Sequence, residues 1–94
     1  MTDPEFEWDG AKALRNRVEH GVSFEAILGF DWETCVTFDD LRFDYRELRR
    51  VSFGLIGSRL HVAVWTERSG RRRLISLRRA NRREIEAYRR QPMP

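Results

Sequence analysis

Three runs of alternating residues, separated by two short turn signals, constrain the fold of this chain most strongly. A period of two is typical of β-strands, and a glycine-containing dipeptide between two such runs is typical of a β-hairpin. The runs are Arg50–Ile56, Leu60–Glu67 and Arg71–Arg79, divided by Gly57-Ser58 and Ser69-Gly70. The sequence therefore predicts an antiparallel meander in the second half of the chain.

The first half carries a helical pattern instead. Asp9 is a good N-cap residue, and Gly21 suits the left-handed position that follows a helix end. Ala11, Leu14 and Val18 recur at the spacing of one buried helical stripe. These signals predict a first helix near 9–20.

Two further helices and one more strand complete the prediction. Ser23 is a candidate N-cap, and Phe24, Ile27 and Leu28 give a short apolar face, which predicts a helix near 23–30. Residues 34–38 are β-branched and aromatic, which favours a strand. Asparagine and glutamate three residues apart form a candidate capping box for a last helix, at Asn81 and Glu84.

Together these elements predict one α+β domain over residues 1–94. Its two N-terminal helices and C-terminal helix pack on a four-stranded, mainly antiparallel sheet. Phe6–Trp8 is a short extended entry, and a polar, acidic segment from Asp39 to Glu47 precedes the meander. Phe6, Trp8, Phe24 and Phe30 are predicted core residues.

Two-residue turns would give the meander a defined register. The predicted cross-strand pairs are Leu55 with Leu60, Phe53 with Val62, Val51 with Val64, Val64 with Ile75 and Val62 with Leu77. All these apolar side chains share one face of the sheet, so that face is the predicted core face.

The opposite face is predicted to be polar. It carries Arg50, Ser52, Gly54, His61, Ala63, Trp65, Glu67, Arg72, Leu74, Ser76 and Arg78. One interpretation is an ordinary solvated sheet face, with His61 as a surface residue. The other is a nucleic-acid surface, in which arginines surround the Glu67 carboxylate and Trp65 stacks on a base.

Charge is distributed very unevenly along the chain. Residues 1–45 contain 4 basic and 11 acidic groups, whereas residues 46–94 contain 14 basic and 4 acidic groups. Seventeen of the 18 basic residues are arginine, the side chain best suited to bidentate contacts with phosphate or carboxylate. This pattern indicates an anionic partner for the second half.

Other classes of protein are excluded by simple features. Cys35 is the single cysteine, and His20 and His61 lie far apart, so we expect no disulfide, no metal site and no cofactor. No apolar run approaches the roughly 18 residues of a membrane span, and the N-terminus lacks the basic region of a signal peptide. The expected location is the cytoplasm, with no membrane partner.

At this point the sequence resembles a known family, the BrnT toxins. The matching motifs cover most of the chain, from about Phe6 to Glu84, in the family's order and approximate spacing. They are Phe6-Glu7-Trp8-Asp9, Lys12, Asn16, His20-Gly21-Val22-Ser23-Phe24-Glu25, Gly54, Trp65-Thr66-Glu67-Arg68 and Leu74-Ile75-Ser76-Leu77-Arg78-Arg79-Ala80. Each motif is weak alone, and together they are specific.

The resemblance implies a RelE-like fold and a toxin of a type II toxin–antitoxin system that cleaves RNA without a metal ion. It also implies neutralisation by a BrnA-like antitoxin, in a complex with two copies of each protein. That complex would bind promoter DNA through the antitoxin.

The resemblance and the register select overlapping sets of site residues. The predicted catalytic residues are Glu67, as the base for the 2′-hydroxyl, and three arginines for the charge of the transition state: Arg78, Arg73 and Arg49. Predicted RNA-binding residues are Lys12, His20, Arg50, Trp65, Arg72 and Arg79. The register favours Arg50, Arg72 and Arg78 as a group, whereas the resemblance favours Arg49, Arg73 and Arg78.

Two alternatives to a ribonuclease stay open. The chain could be a non-catalytic domain that binds nucleic acid or a partner, such as a decayed toxin retained for regulation. It could also be a subunit that folds only with an acidic or amphipathic partner.

Overall fold

Five strands and three helical segments make up the fold of the computed structural model, which describes residues 5–40 and 47–91. In chain order the elements are β1 (Phe6–Trp8), α1 (Gly10–His20), a 3₁₀ helix (Phe24–Gly29), β2 (Val36–Asp39), β3 (Arg49–Ile56), β4 (Arg59–Arg68), β5 (Arg71–Arg79) and α2 (Arg82–Arg89). This order confirms the α+β class. Most of the predicted acidic segment, residues 41–46, lies outside the described residues.

The sheet has five strands, not the predicted four, because the extended entry joins it. Its strand order is β1-β5-β4-β3-β2. β1 pairs in parallel with β5 through Phe6–Arg72, Glu7–Arg73 and Trp8–Leu74, while the other three pairings are antiparallel. A three-residue segment carries too little alternation to be identified as a strand from sequence.

Local capping signals define the helix ends as the sequence predicts. The Asp9 side chain accepts a hydrogen bond of 3.1 Å from the backbone N–H of Lys12, and Gly21 ends α1 in the left-handed region at φ 69°. At α2, Asn81 and Glu84 form both bonds of the capping box. The predicted second helix is a short 3₁₀ segment, and its N-cap residue Ser23 makes no side-chain capping bond.

A β-bulge changes the predicted register in the second hairpin. The first hairpin pairs as predicted, including Val51 with Val64. In the second, Trp65 pairs with Leu74, but the register then shifts and Val64 faces Ser76 instead of the predicted Ile75. Because a bulge places an extra residue in one strand, every later side chain of β5 changes face. The predicted pairing of Val62 with Leu77 is therefore wrong.

Helix α1 and the 3₁₀ helix cover the face of the sheet that the sequence predicts to be polar, whereas α2 lies against part of the other face, beside Val36, Phe38 and Phe53. We call the former the covered face, marked by Gly54, Ala63 and Trp65, and we call the other the open face, marked by Val51 and Val62. The core cluster is Phe6, Val22, Phe24, Ile27, Phe30, Ala63, Trp65, Leu74 and Leu77. The main core thus lies on the face opposite to the predicted one, although Leu60 and Val62 of the predicted face are also buried. The predicted aromatic core residues are confirmed: Phe6, Phe24 and Phe30 are buried and Trp8 packs against the cluster.

Small residues on the covered face explain this arrangement. A Cβ atom at Gly54 would lie 2.5 Å from the ring of Phe30, so the aromatic ring packs where only glycine leaves room. Ala63 and Ser52 are fully buried beside it. Small side chains make little contribution to an alternating apolar pattern, which is why the pattern favours the wrong face.

Helix α1 is also turned opposite to its predicted orientation. Its buried residue is Asn16, 5% exposed, whereas Leu14 and Val18 are 67% and 79% exposed and Ala11 is exposed as well. Leu28 in the 3₁₀ helix, also a predicted apolar-face residue, is exposed. No helix within the described ranges has the length and apolar character of a transmembrane span.

Candidate active site

The guanidinium of Arg72 lies among aromatic rings on the covered face. Its central carbon is 4.2 Å from the ring centroid of Trp32, 5.2 Å from that of Trp65 and 5.8 Å from that of Phe6. These distances are typical of cation–π contacts, which hold the planar group while leaving donors at its edge. Among the described residues, its one ion pair is a long contact of 3.8 Å to Glu5.

Trp65 is the centre of this arrangement and is itself buried. It is 6% exposed, its indole N–H donates to the Ser52 hydroxyl at 2.8 Å, and Arg50 lies 5.4 Å from its ring centroid. A ring covered in this way leaves no face for a nucleobase. The prediction that Trp65 stacks on RNA therefore conflicts with the structure, and Trp65 supports Arg50 and Arg72 instead.

Glu67 projects beside these arginines at the exposed end of β4. It is the cross-strand partner of Arg72, and the two lie on the same side of the sheet. Together with Glu5, Arg50, Trp65 and Gly70 they line one open depression. Within the part of the chain that the structure describes, the Glu67 carboxylate has no ion pair within 4.0 Å. An uncommitted carboxylate thus lies beside two arginines.

The arginines favoured by the family resemblance lie on the opposite, open face. Arg49 and Arg73 both pair with Thr66 across the sheet, so the three form one row. The Arg73 guanidinium donates to the Glu7 carboxylate at 2.9 Å, and Arg49 is half-buried. Arg73 is therefore held by a direct ion pair.

Arg78 joins this open face because of the bulge. It faces Val62, and its guanidinium donates two hydrogen bonds of 2.8 Å to the two carboxylate oxygens of Glu84. These bonds, together with one from the backbone N–H of Asn81, lower the pKa of Glu84 below its usual value, against the effect of burial. The prediction, made from the register, that Arg78 lies on the same face as Arg50 and Arg72 is wrong.

Lys12 and His20 lie in a separate depression. It is formed where α1 packs on β5, and its lining is Lys12, Arg15, Asn16, Glu19, His20, Ile75 and Ser76. His20 Nε2 is 3.9 Å from a carboxylate oxygen of Glu19. This depression shares no lining residue with that of Glu67, so the structure does not bring these two groups together.

The remaining polar candidates have simple placements. Arg79 is exposed near the end of β5, opposite His61. His61, predicted as a surface residue, is 7% exposed, and its Nδ1 lies 2.9 Å from the carbonyl oxygen of Arg59. No group of three or more His, Cys, Asp or Glu side chains in residues 5–40 and 47–91 is arranged to hold a metal ion.

Sequence reasoning missed the role of Asn16. β1 pairs with β5 only up to Leu74, so the backbone of Leu77 lies beyond the end of that edge strand. The Asn16 amide replaces the missing strand: it donates to the carbonyl of Leu77 at 2.7 Å and accepts from its N–H at 3.1 Å. A second donor bond of 3.1 Å reaches the carbonyl of Val22. The sequence signal for this role was the position of Asn16 on the side of α1 opposite Leu14 and Val18.

Comparison with known proteins gives one match. Residues 8–84 fit the model of a family described as BrnT, the ribonuclease toxin of a type II toxin–antitoxin system. No curated protein matches the chain significantly. The matched range contains Glu67, Arg72, Arg78 and every other candidate residue described above.

Proposed function

We propose that this chain, which belongs to the BrnT family of ribonuclease toxins from type II toxin–antitoxin systems, cleaves RNA without a metal ion by attack of a ribose 2′-hydroxyl on the adjacent phosphorus. The observation that carries the proposal is the Glu67 carboxylate, without an ion pair among the described residues and directly across the sheet from Arg72. A general base needs such an uncommitted carboxylate, because a salt-bridged one has its oxygens already occupied.

Glu67 accepts the proton of the 2′-hydroxyl in this mechanism. The 2′ oxygen then forms a bond to phosphorus, the bond from phosphorus to the 5′ oxygen breaks, and solvent protonates the departing oxygen at this exposed site. A positioned base contributes roughly 10²–10⁴-fold in rate. The products are a 2′,3′-cyclic phosphate and a 5′-hydroxyl.

Arg72 and Arg50 stabilise the negative charge that develops on the phosphate oxygens. The rings of Trp32 and Trp65 hold Arg72 in place, and Trp65 also supports Arg50, so both cations are oriented before substrate binds. Preorganised donors act most strongly because no reorganisation accompanies the reaction. Their arrangement around Glu67 supports the assignment of both to the phosphate.

The arginines of the open face have a structural role in this mechanism. The family resemblance implies catalytic roles for Arg49, Arg73 and Arg78, but ion pairs to Glu7 and Glu84 occupy the last two. We propose that these arginines stabilise the sheet and do not contact the reacting phosphate. Lys12, His20 and Arg79 are assigned to the RNA backbone outside the reacting phosphate.

Membership of a type II family implies an antitoxin partner. We propose that the antitoxin is BrnA-like, that the complex contains two copies of each chain, and that promoter DNA is bound through the antitoxin. The toxin would act on RNA in the cytoplasm.

The products of RNA cleavage in EDTA test the proposal directly. Purified chain, separated from its antitoxin, is mixed with a single-stranded RNA and with the same RNA carrying 2′-deoxy residues. We expect cleavage of the first only, with 2′,3′-cyclic phosphate ends. Cleavage that needs added Mg²⁺, or that persists in the 2′-deoxy strand, would contradict the mechanism. Salt-dependent binding without cleavage would favour a non-catalytic binding domain.

A further inference from the structure

An exposed apolar stripe follows the outer side of α1. Leu14 and Val18 are 67% and 79% exposed, and Ala11, one turn earlier, is exposed too. Residues at i, i+3 and i+7 form a continuous line on a helix surface, so the three side chains lie in one row. Two large aliphatic side chains on one line, both mostly in solvent, are a feature that marks interaction surfaces.

The inward side of α1 explains why the stripe points outward. Asn16 is committed to the sheet edge by its three hydrogen bonds to Leu77 and Val22, and it lies on the side of the helix opposite the stripe. Turning the stripe inward would break those bonds. The apolar side chains of this stripe thus do not pack in the core of this chain, and they are available to contact another molecule.

Basic residues border the stripe on both sides. At 3.6 residues per turn, Arg15 lies along one margin and Arg17 along the other, and both are exposed. In the described ranges, neither guanidinium has a carboxylate within 4.0 Å. The pKa of Glu25 is lowered mainly by its hydrogen bond with Ser23 and to a smaller extent by the charge of Arg17. The stripe is therefore an apolar row between two cationic margins.

These margins select the partner. Two copies of α1 packed along their stripes would oppose arginine to arginine in either relative orientation, which is unfavourable. A helix with an apolar stripe between acidic margins would be complementary in both shape and charge. Because the family belongs to toxin–antitoxin systems, the antitoxin is the protein that would supply such a helix.

We propose that the outer side of α1, formed by Leu14 and Val18 between Arg15 and Arg17, is a docking surface for an acidic amphipathic helix of the cognate antitoxin. This inference rests on the toxin–antitoxin part of the proposed function. Docking here buries the exposed aliphatic row and pairs the two arginines with carboxylates. Neither Leu14 nor Val18 belongs to the candidate active site, so docking and cleavage can be measured separately.

The test is a titration of the purified cognate antitoxin against the unmodified toxin and three variants. The first variant carries Leu14→Asp and Val18→Asp, and the second carries Arg15→Glu and Arg17→Glu. Leu48→Asp is the matched control, because Leu48 is another exposed leucine, 48% accessible, outside α1. Circular dichroism reports whether each variant is folded, and RNA cleavage in EDTA is a second check for the stripe variant and the control.

We expect the stripe variant to raise the Kd for the antitoxin at least about 30-fold, which corresponds to about 2 kcal/mol. The charge-reversal variant should raise it about 10-fold at low salt and less at high salt, because exposed ion pairs are screened. Leu48→Asp should leave the Kd unchanged. The stripe variant and Leu48→Asp should cleave RNA at the rate of the unmodified chain. The charge-reversal variant is compared by circular dichroism alone, because Arg15 lines the same depression as Lys12 and His20.

Unchanged antitoxin affinity in both α1 variants would overturn the docking surface, as would an unmodified toxin that does not bind the antitoxin. A chain that binds the antitoxin through this stripe but cleaves no RNA would support the docking surface while contradicting the proposed catalysis. The docking surface and the proposed catalysis can therefore be contradicted independently of each other.

Discussion

Arg72 on the covered face and Arg78 on the open face are held in different ways. Arg72 lies over the rings of Trp32 and Trp65, with a carboxylate contact at 3.8 Å, whereas Arg78 is bound by both oxygens of Glu84 at 2.8 Å. Stacking fixes a guanidinium by its flat face and leaves edge donors for a phosphate. A bidentate carboxylate uses those same donors.

The acidic groups on the two faces differ in the same way. Glu67 has no ion pair within 4.0 Å in the part of the chain that is described, while Glu7 and Glu84 are each bonded to an arginine. A catalytic base and its cations need spare bonding capacity. The rim of the covered face, formed by Glu67, Arg50 and Arg72, provides it: among the described residues its two arginines have only long carboxylate contacts, 3.9 Å from Arg50 to Asp39 and 3.8 Å from Arg72 to Glu5. The open face instead shows the paired charges of a structural network.

Replacing each arginine with lysine gives a large effect that would break this comparison. Lysine keeps the charge but loses the planar stack and the fixed donors. We expect Arg72→Lys to reduce single-turnover cleavage of RNA about 10²-fold. Arg78→Lys should reduce it no more than about 3-fold, because its partner Glu84 is still paired with a cation. Equal losses in both variants would remove the distinction between the faces.

Asn16→Ala separates stability from chemistry. The substitution leaves the N–H and carbonyl of Leu77 without their side-chain partner in a buried position. We expect the free energy of unfolding, measured by denaturant titration, to fall by about 2–4 kcal/mol. At saturating RNA, the rate of the chemical step per folded molecule should be unaffected, since Asn16 lines a different depression from Glu67. A loss below about 0.5 kcal/mol would contradict the role of the amide as a substitute strand.

The smallest effect concerns Glu84 and depends on pH. Its pKa is lowered in the folded chain by the Arg78 hydrogen bonds, so its carboxylate stabilises the fold above the pKa of the unfolded chain. That contribution is lost as the pH falls through the lowered, folded pKa. Glu84→Gln should therefore cost about 1 kcal/mol at pH 7, a value reduced by the partial exposure of the pair.

Denaturant titrations of both proteins between pH 7 and pH 3 check the sign. The gap in stability between the unmodified chain and Glu84→Gln should close towards the acid end. A gap that widens at low pH would contradict the assigned ion pair.

Much of the fold could be predicted because it depends on local signals. The N-cap at Asp9, the left-handed Gly21 and the capping box at Asn81 each act within a few residues. The first hairpin register follows from its two-residue turn alone. The bulge after Val64 could not be predicted, because nothing local distinguishes an extra residue in β5 from a regular strand.

The candidate site was predicted only in part, for the same reason. One bulge moves Arg78 from the face of Arg72 to that of Arg73, so a pattern with an unbroken period groups the wrong residues. The covered face was misassigned because Gly54 and Ala63 contribute space rather than apolar area, and that space is filled by aromatic rings from distant parts of the chain. The position of Glu67 beside Arg72 could be predicted from the sequence, because the register near the turn is regular.

Matched removal of one carboxylate from each face tests most directly that catalysis belongs to the rim of the covered face. Glu67→Gln and Glu7→Gln make the same chemical change, and single-turnover cleavage of RNA in EDTA measures both. We expect the first to reduce the rate by about 10²–10⁴-fold. The second should retain it within about 5-fold, because it removes a structural ion pair. Full activity in Glu67→Gln together with a large loss in Glu7→Gln would contradict the account and assign the chemistry to the open face.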